Sequence, residues 1–590
     1  MKRILLLLVA LMVTTLLFAG GAQEGEEGGA AQPGQVPRNR TLISSGWDYY
    51  AQVPSPDNMS PYSGPTLHER NILHYTVFEN LFYSNIVGGS VESWIGEEWE
   101  YNNDFTQVTV RLRDDVTWSD GEQLTSEDIV FTGNMLLENA PEMTYASQFA
   151  DNVESVEAPD DFTVVFNLKR PSPRWARNEL AYSLGQPARF VIVPEHIWAG
   201  KNPLEFTNLD IEAGWPVGTG PFKLVRAGND QLVFDRRDSW WADEAGKQAM
   251  PQVERVIYRP STAEAHPQLY ISNQLDTGRD IQVGAFEAAR QQNRNLRSWN
   301  DSGPQWGAPN GCTYRLTFNN QRAPFDDRDI RWAVNYALDR DEIINLAYEG
   351  STYTAIAPLS AFAEIQSYVE KLSSVIDDFD VDNQDFDMVA EIMESKGYSQ
   401  NSDGFWASGG STLELDIQSQ QGNPMGPIIV QQLQDAGFDA RLEVTQNAAF
   451  VENARTGEFD LHLWVHCGSV YDPYQTLEHY HSSYAVPPGE LVSSLRSYTR
   501  YANPELDAIL DEMAGMVPSP DDPEYLELAG EALRIYLEDL PDITIGEERQ
   551  VFVMNETYWT GWPNADDPYM HPPIPWEGYA RVIHKLEPVQ

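Results

Sequence analysis

Strand-like and helix-like patterns interleave along most of the 590-residue chain. The segment from Gln107 to Leu112 alternates with a period of two, which predicts a strand. Thr125, followed three residues later by Asp128, predicts the capped start of a helix. Interleaving of this kind indicates an α/β protein, and the length corresponds to roughly three to four domain-sized units.

Similar patterns predict further elements in both halves of the chain. Strands are expected over 162–168, 253–259, 314–318, 413–417, 440–444 and 459–465, and a turn followed by a strand over 218–226. Helices are expected over 329–347, 387–396 and 427–436.

The N-terminus carries the pattern of an export signal. Lys2 and Arg3 precede an almost unbroken apolar run over 4–19, and small residues follow, so we assign residues 1–22 to a signal peptide. A retained membrane anchor is the alternative, although the run is short of the about 20 residues that span a bilayer. Residues 23–37 are rich in Gly, Glu and Pro and are expected to form a flexible tether.

The two cysteines are Cys312 and Cys467. Neither lies near the signal, so the exported protein is expected to be periplasmic or extracytoplasmic without a lipid anchor. Export places both thiols in an oxidising compartment, where pairing is open to them. Their spacing alone leaves open whether they pair.

The charge is strongly acidic. The chain has 89 acidic and 39 basic side chains, a formal net charge of −50. This excess argues against nucleic acid as a partner, because phosphate binding needs clustered Lys and Arg, and against docking on anionic lipid. The basic residues are 31 Arg and only 8 Lys. We interpret this balance as an adaptation to high salt.

Motifs for catalysis, cofactors and metals are largely missing from the sequence. It contains no phosphate-cradling loop, no nucleophile elbow and no calcium loop, so no catalytic residue, cofactor or metal is expected. His462 and His466 are four residues apart, but in a strand this spacing separates them, which favours ordinary polar groups over a metal site. Acidic pairs such as Asp114–Asp115 are interpreted as solvated. A glycoside hydrolase using a carboxylate pair stays open as an alternative.

Aromatic residues are more informative about a ligand. Several tryptophans fall near predicted turns or strand ends, where an indole can stack on the C–H face of a sugar. For each of them, burial in the core is the competing interpretation. They are Trp215, Trp240, Trp241, Trp306, Trp464, Trp559, Trp562 and Trp576.

Ordered motifs from about Thr41 to the C-terminus resemble those of a known family, the solute-binding proteins of ABC importers, family 5. Its members bind peptides, nickel or oligosaccharides. The motifs are YTVFENLF at 75–82, TVRLRDDVTWSDGEQLTSEDIVF at 109–131, PVGTGPFKLV at 216–225, FDRRDSWW at 234–241, LTFNNQRAPFDDRDIRWAVNYALDRDEI at 316–343 and NPELDAIL at 503–510.

The resemblance implies a two-lobed fold of the periplasmic-binding-protein type (type II, cluster C), with an extra subdomain in the first lobe. It also implies a monomeric, non-enzymatic receptor that closes around a small-molecule solute and docks on an ABC permease. The implied boundaries are 38–84, 206–275 and 544–590 for lobe one, 85–205 for the subdomain and 276–543 for lobe two. It places Cys312 and Cys467 on neighbouring segments, which favours a disulfide between them.

The resemblance also suggests a ligand class. Peptide binders of the family hold the peptide amine with an Asp, and the matching position here is Ser469, with His466 in place of a Trp. A neutral oligosaccharide, such as a β-linked disaccharide or short oligomer, is therefore expected. The terminal segment YWTGWPNADDPY at 558–569 is similar to the oligosaccharide (cellobiose-type) branch. The expected ligand-binding residues are Trp306, Asn447, Trp464, His466, Ser469, Tyr471, Trp47, Tyr49 and Trp215.

Two other ligand classes stay open within the same architecture. An oligopeptide receptor would need another carboxylate, such as Asp472, to meet the amine. A nickel or haem receptor is a weaker alternative, suggested by His462 and His466.

Overall fold

Most of the predicted helices and strands lie at the positions that the local sequence patterns indicate. A computed structural model describes residues 36–46, 50–63, 73–182, 190–493, 497–572 and 578–590. These belong to one compact unit, Gln35–Gln590. The predicted signal peptide lies outside the described residues, as does all of the tether except 36–37.

The strands of the described residues are, in chain order, β1 (Thr41–Ser44), β2 (Phe82–Asn85), β3 (Ser90–Ser93), β4 (Gly96–Tyr101), β5 (Gln107–Leu112), β6 (Val153–Asp160), β7 (Thr163–Leu168), β8 (Ala181–Tyr182), β9 (Phe222–Ala227), β10 (Leu232–Arg236), β11 (Arg255–Tyr258), β12 (Leu296–Arg297), β13 (Ala308–Phe318), β14 (Ser399–Gln400), β15 (Trp406–Ser408), β16 (Ser411–Thr412), β17 (Glu414–Gln420), β18 (Asp439–Thr445), β19 (Leu461–Cys467), β20 (Asp542–Gln550), β21 (Met554–Asn555), β22 (Trp559–Thr560) and β23 (Glu587–Pro588).

The α-helices of the same residues are α1 (Leu73–Thr76), α2 (Ser126–Glu138), α3 (Ala146–Asn152), α4 (Trp175–Leu180), α5 (Glu195–Trp198), α6 (Trp241–Glu244), α7 (His266–Ile271), α8 (Val283–Gln292), α9 (Arg328–Tyr336), α10 (Arg340–Tyr348), α11 (Ala363–Lys371), α12 (Ser373–Asp377), α13 (Phe386–Ser395), α14 (Met425–Asp435), α15 (Asn447–Thr456), α16 (Tyr474–Leu477), α17 (Pro504–Ala514), α18 (Pro523–Asp539) and α19 (Gly578–Val582). Short 3-10 turns lie at Arg38–Arg40, Glu478–Tyr480 and Ser482–Tyr484.

Three larger sheets organise the molecule. The first has the order β1-β11-β10-β9, and the second, β4-β5-β7-β6, is antiparallel throughout. The third has the order β18-β17-β19-β13-β20. In this third sheet β17 runs parallel to β18 and β19, whereas β13 runs antiparallel to β19 and β20. The α/β class is as predicted.

The apolar side chains of the described residues form two large clusters and three smaller ones. One large cluster draws on residues between Leu42 and Tyr258 together with the C-terminal segment, and the other lies between Leu316 and Ile545. A small cluster joins segments that are distant in sequence, including Ile86, Phe362 and Tyr471. The domain boundaries given above stay a prediction, and β20 spans the crossover predicted near residue 544.

Two local predictions have different outcomes. Helix α2 begins after Thr125, whose backbone N–H donates to Asp128 Oδ2 at 3.0 Å, so the predicted cap is confirmed. The single helix expected over 329–347 is wrong, because α9 and α10 are separate. The Asp339 carboxylate accepts the N–H of Glu342 at 2.8 Å and starts a new helix, a role in which Asp competes well with helix continuation.

Across the part of the chain that the structure describes, we find no helix with the length and apolar character that crossing a membrane requires.

Candidate functional site

The cleft segment, residues 468–475, leaves the central sheet at the end of β19. Cys467 in β19 pairs with Cys312 in β13, and the two residues form a disulfide. The Gly468 N–H donates to the Gly311 carbonyl at 2.9 Å. The start of the cleft segment is therefore fixed to the middle of the largest sheet.

Ser469 shapes the cleft segment with every polar group it has. Its hydroxyl oxygen accepts the N–H groups of Tyr471 at 3.3 Å and Asp472 at 3.2 Å. Its own N–H donates to Thr476 Oγ1 at 2.8 Å, and its carbonyl accepts the Ser360 hydroxyl at 3.0 Å. These bonds fold a tight turn that fixes the position of Asp472.

Arg174 contacts the cleft segment from the predicted subdomain. Its Nε donates to Asp472 Oδ2 at 2.8 Å, and the two side chains are 6% and 0% exposed. Nη1 donates to the carbonyls of Met513 and Ala514 at the end of α17, and Nη2 donates to the Tyr525 hydroxyl at 2.8 Å. Burial acts to lower the pKa of Arg174, but the charge of Asp472, the neighbouring tyrosines and the hydrogen bond to Asp472 together raise that pKa above its usual value.

Arg177, one turn further along, makes a second set of contacts between the same parts. Its guanidinium donates to both carboxylate oxygens of Glu364, at 3.0 and 2.6 Å. It also lies 4.0 Å from the centre of the Tyr471 ring. The Tyr471 hydroxyl donates to Asn178 Oδ1 at 2.9 Å. Bidentate and stacked arginine contacts of this kind are geometrically specific.

Two cavities flank Arg174. The smaller, of about 270 Å³, is lined by Trp99, Tyr368 and Tyr471 among others. The larger, of about 520 Å³, is lined by Tyr474, Gln475, Asn178, Glu478 and Tyr484 among others. The larger cavity alone lies in the range of small-ligand sites, about 300–1,000 Å³. Aromatic faces beside amide groups can bind a flat polar molecule.

The acidic groups around these cavities are largely compensated. Asp472 and Glu364 are paired with arginines. Glu478 lines the larger cavity, where burial raises its pKa and so favours the neutral carboxyl. Asp511, also on the lining, has a side chain that is 78% exposed and is well solvated.

His466 and His462 lie inside the predicted lobe two, on β19. His466 Nε2 is 2.8 Å from the Tyr498 hydroxyl, and His462 Nδ1 is 3.1 Å from the same hydroxyl. Both rings are buried, and burial lowers the pKa of His462 to about 3. The shared tyrosine makes them internal polar groups. Among the described residues there is no group of three or more His, Cys, Asp or Glu that could hold a metal.

Trp464 and Asn447 are close in sequence but have different surroundings. Trp464 is half-buried and packs edge-on against Phe450, with ring centres 5.2 Å apart. Asn447 is exposed at the start of α15, where its Oδ1 accepts the Gln420 amide at 2.6 Å.

Trp306 and Trp215 are packed into apolar clusters. Trp306 is 6% exposed, packs edge-on against Phe286, and donates its indole N–H to Glu287 at 3.0 Å. Trp215 packs edge-on against Phe206, with ring centres 5.6 Å apart, in the first large cluster. Trp47 and Tyr49 lie outside the described residues. Of the predicted site residues, Tyr471 lines the smaller cavity, and Ser469 accepts the Tyr471 backbone N–H.

The two arginines that contact the cleft segment, Arg174 and Arg177, were not predicted. With Arg170, which lines the larger cavity, they fall within eight residues, in the segment RPSPRWAR at 170–177. In a chain with a net charge of −50, this local excess of cations is a signal that could have identified them. Their partners, however, lie about 190 to 300 residues away in sequence, at Glu364 and Asp472.

The two cavities are lined by segments that are distant in sequence, 170–178 on one side and 364–368 or 471–484 on the other. Residues 90–487 match the model of the bacterial extracellular solute-binding proteins, family 5 Middle. The chain belongs to this family.

Similar proteins include two periplasmic oligopeptide-binding proteins named OppA. That of Haemophilus influenzae is 24% identical over 484 residues, which cover 78% of this chain and 80% of that protein. That of Salmonella typhimurium is 27% identical over 308 residues, and the match spans about half of each protein, 49% of this chain and 52% of the relative.

Solved structures share the fold. A periplasmic oligopeptide-binding protein of an ABC transporter from Thermotoga maritima has a TM-score of 0.80 and 23% identity, covering 94% of this chain and 100% of that one. A mannohexaose-bound structure from the same organism has a TM-score of 0.72 and 23% identity, covering 94% and 99%. The predicted family and fold class are confirmed.

Proposed function

We propose that this chain is the extracytoplasmic solute receptor of an ABC importer and that it binds a neutral oligosaccharide, a β-linked disaccharide or short oligomer. The ligand lies beside the cleft segment, and the closed form delivers it to the permease. Family membership supports the receptor role. The role is one of capture and release, with no catalytic step.

The observation that carries the ligand assignment is the lining of the two cavities. Tyrosine rings (Tyr368, Tyr471, Tyr474 and Tyr484) surround them, together with the amides of Asn178 and Gln475. Rings that present a flat apolar face can stack on a sugar, and neutral amides can exchange hydrogen bonds with its hydroxyls. The buried carboxylates beside them are paired or shifted toward neutrality, and Asp511 is solvated, which favours an uncharged ligand.

Closure would couple the two sides of the site. Asn178 and Arg177 come from the predicted subdomain, whereas Tyr471 and Gln475 come from the predicted lobe two. A ligand that contacts both sides binds the closed form better, and it shifts the population toward that form. Trp47 and Tyr49 stay predicted contacts in this scheme.

The surroundings of five other predicted site residues indicate which of them could contact a ligand directly. His466 and Ser469 already use their polar groups within the protein, so we propose that they position the segment instead of bonding the sugar directly. Trp306, Trp464 and Trp215 stay candidates for contact with a ligand only if their packing changes on opening.

Calorimetry against cello-oligosaccharides, manno-oligosaccharides and short peptides tests the ligand class. We expect neutral oligosaccharides to bind, and Tyr484→Ala to weaken binding by about ten-fold or more, as for a buried aromatic anchor. Phe386→Ala removes an aromatic ring that is 42% exposed, and it serves as the matched control with unchanged affinity. Binding of peptides without any sugar would contradict the assignment.

An oligopeptide is the second candidate ligand, because the curated relatives named above are oligopeptide-binding proteins. The mannohexaose bound to one fold neighbour supports the sugar instead. The same titrations separate the two. Release of chromophore from a chromogenic glycoside by the purified protein would contradict the receptor role and favour a hydrolase.

A further inference from the structure

The charge of the ligand depends on which carboxylates it can reach. Asp472 is the acid of the cleft segment, and it adjoins both Tyr471 and Pro473 in the turn beside the cavities. In water-poor surroundings between tyrosine rings, an unpaired carboxylate would select a ligand that carries an ammonium group. The state of Asp472 therefore separates a site for amines from a site for neutral molecules.

Asp472 is withheld from any ligand by Arg174. Its side chain is 0% exposed, with Oδ2 bonded to Arg174 Nε at 2.8 Å. Oδ1 lies 3.4 Å from the Gln475 backbone N–H, which donates to it. A ligand amine could reach the carboxylate only by displacing the guanidinium, because no other face of Asp472 is open to solvent.

Arg174 is itself held in place by several hydrogen-bond partners, and a ligand amine that displaced it from Asp472 would not make up for their loss. Besides Asp472, it bonds the carbonyls of Met513 and Ala514 at the end of α17, where a cation is favoured by the helix dipole. It also bonds the Tyr525 hydroxyl and lies 4.3 Å from the centre of the Tyr474 ring. Displacing it would leave a buried cation without these partners, which is strongly unfavourable.

We propose that Arg174 is a specificity-determining residue: it is a built-in cation that occupies Asp472 in the closed cleft and so excludes amine-bearing ligands in favour of neutral ones. This inference rests on the proposed function for the position of the ligand. It goes further by naming the residue that sets the ligand charge. Arg177, which pairs with Glu364, plays no part in it.

The test compares two β-1,4-linked trisaccharides that differ at C2 of each ring, where one has a hydroxyl and the other an ammonium group. Cellotriose is neutral, and the β-1,4-linked glucosamine trimer carries an amine on each ring that is protonated in mildly acidic buffer. Calorimetry gives the ratio of their dissociation constants for wild type, Arg174→Met and the double variant Arg174→Met/Asp472→Asn. We expect wild type to prefer cellotriose, and Arg174→Met to shift the ratio by about ten-fold or more toward the amino sugar. The double variant should return to the preference for cellotriose.

Arg441→Met is the matched control. It removes an arginine that pairs with Glu414 and Asp439 and is 52% exposed, so it changes the net charge equally without altering the ratio. Circular dichroism checks that each variant folds. If Arg174→Met does not fold, Arg174→Gln and Arg174→Lys replace it: the first should shift the ratio and the second should retain the wild-type ratio.

An unchanged ratio in the folded neutral variant would overturn the role of Arg174, as would wild-type protein that binds both trimers equally. If wild type binds neither sugar, the proposed ligand class fails. The inference is then tested with trialanine and its N-acetylated form: folded Arg174→Met must gain affinity for the free amine, and no gain overturns it.

Discussion

Glu548 is a buried carboxyl near the end of β20, beside Asn310. Asn310 Nδ2 donates to its Oε2 at 2.8 Å, and Gln550 Nε2 donates to its Oε1 at 3.4 Å. Burial, reinforced by the nearby charge of Asp280, raises its pKa from 4.5 to about 7. Among the described residues, Gln550 Oε1 has no hydrogen-bond donor. Ionisation of Glu548 therefore costs stability.

Glu548→Gln should stabilise the protein above neutral pH. A pKa raised on folding gives stability that is complete below the unfolded value of 4.5 and is lost as the pH rises through about 7. The amide stays neutral and can donate to Gln550 Oε1, so near pH 8 we expect a gain of about 2 kcal/mol in unfolding free energy, falling to nearly zero near pH 4. Urea unfolding at several pH values measures it.

The control for this prediction is Glu531→Gln, a change at an exposed position on α18, which should have a small effect that does not vary with pH in this way. A gain for Glu548→Gln that is equal at acidic and alkaline pH would contradict the ionisation argument.

At the scale of single residues, the sequence indicates the cleft segment but not how each side chain is used. Tyr471, one of the predicted site residues, lines the smaller cavity, and Ser469, another, bonds the Tyr471 backbone two residues away. Arg174 was missed because its role depends on Asp472, and nothing local in sequence shows a pairing across about 300 residues. Trp306 shows the converse case. Its indole ring could stack on a sugar, but tertiary packing, which the local sequence does not show, buries it against Phe286.

The disulfide connects two strands that already pair, β13 and β19. Cys312→Ser/Cys467→Ser should lower the unfolding free energy by about 2–4 kcal/mol, chiefly because the unfolded chain gains freedom over the 155-residue loop. Chemical unfolding of the wild type with and without a thiol reductant should give the same difference. Reductant should leave the double variant unchanged, and equal stability of both proteins would contradict the prediction.

The positions of helices and strands can be predicted closely where the short-range sequence pattern alone determines them. The strand predicted from Gln107 to Leu112 coincides with β5, because its alternation matches one buried and one exposed face. The division between α9 and α10 was missed. The apolar periodicity continues across the division, so it gives no sign of a break. The capping hydrogen bond to the Asp339 carboxylate is seen only in the folded backbone.

At the scale of the whole molecule, the charge of −50 predicts a dependence on salt. Repulsion between surface acids is screened over about 10 Å at 0.1 M salt and about 3 Å at 1 M. The thermal unfolding midpoint should therefore rise between these concentrations of NaCl. The buried pair of Arg174 and Asp472 is shielded from ions and should not reverse the trend. A neutral osmolyte at matched osmolality is the control, and a flat or falling midpoint would contradict the prediction.

The overall class could be predicted because family motifs and interleaved elements are spread over more than 500 residues. The candidate site could not be predicted, because the contacts that form it join segments near 174, 364, 472 and 525 that share no local pattern. Its charge balance emerges only after folding brings these segments together.

Strand β13 is joined differently to its two neighbours. Its ladder with β19 is continuous from Cys312 to Phe318, whereas its register with β20 shifts between Pro309 and Thr313 and again between Tyr314 and Arg315. The β13–β20 pairing is therefore interrupted twice, whereas the β13–β19 pairing is continuous and is also closed by the disulfide. We therefore expect the β13–β20 edge of the sheet to deform more easily than the β13–β19 pairing from which the cleft segment extends.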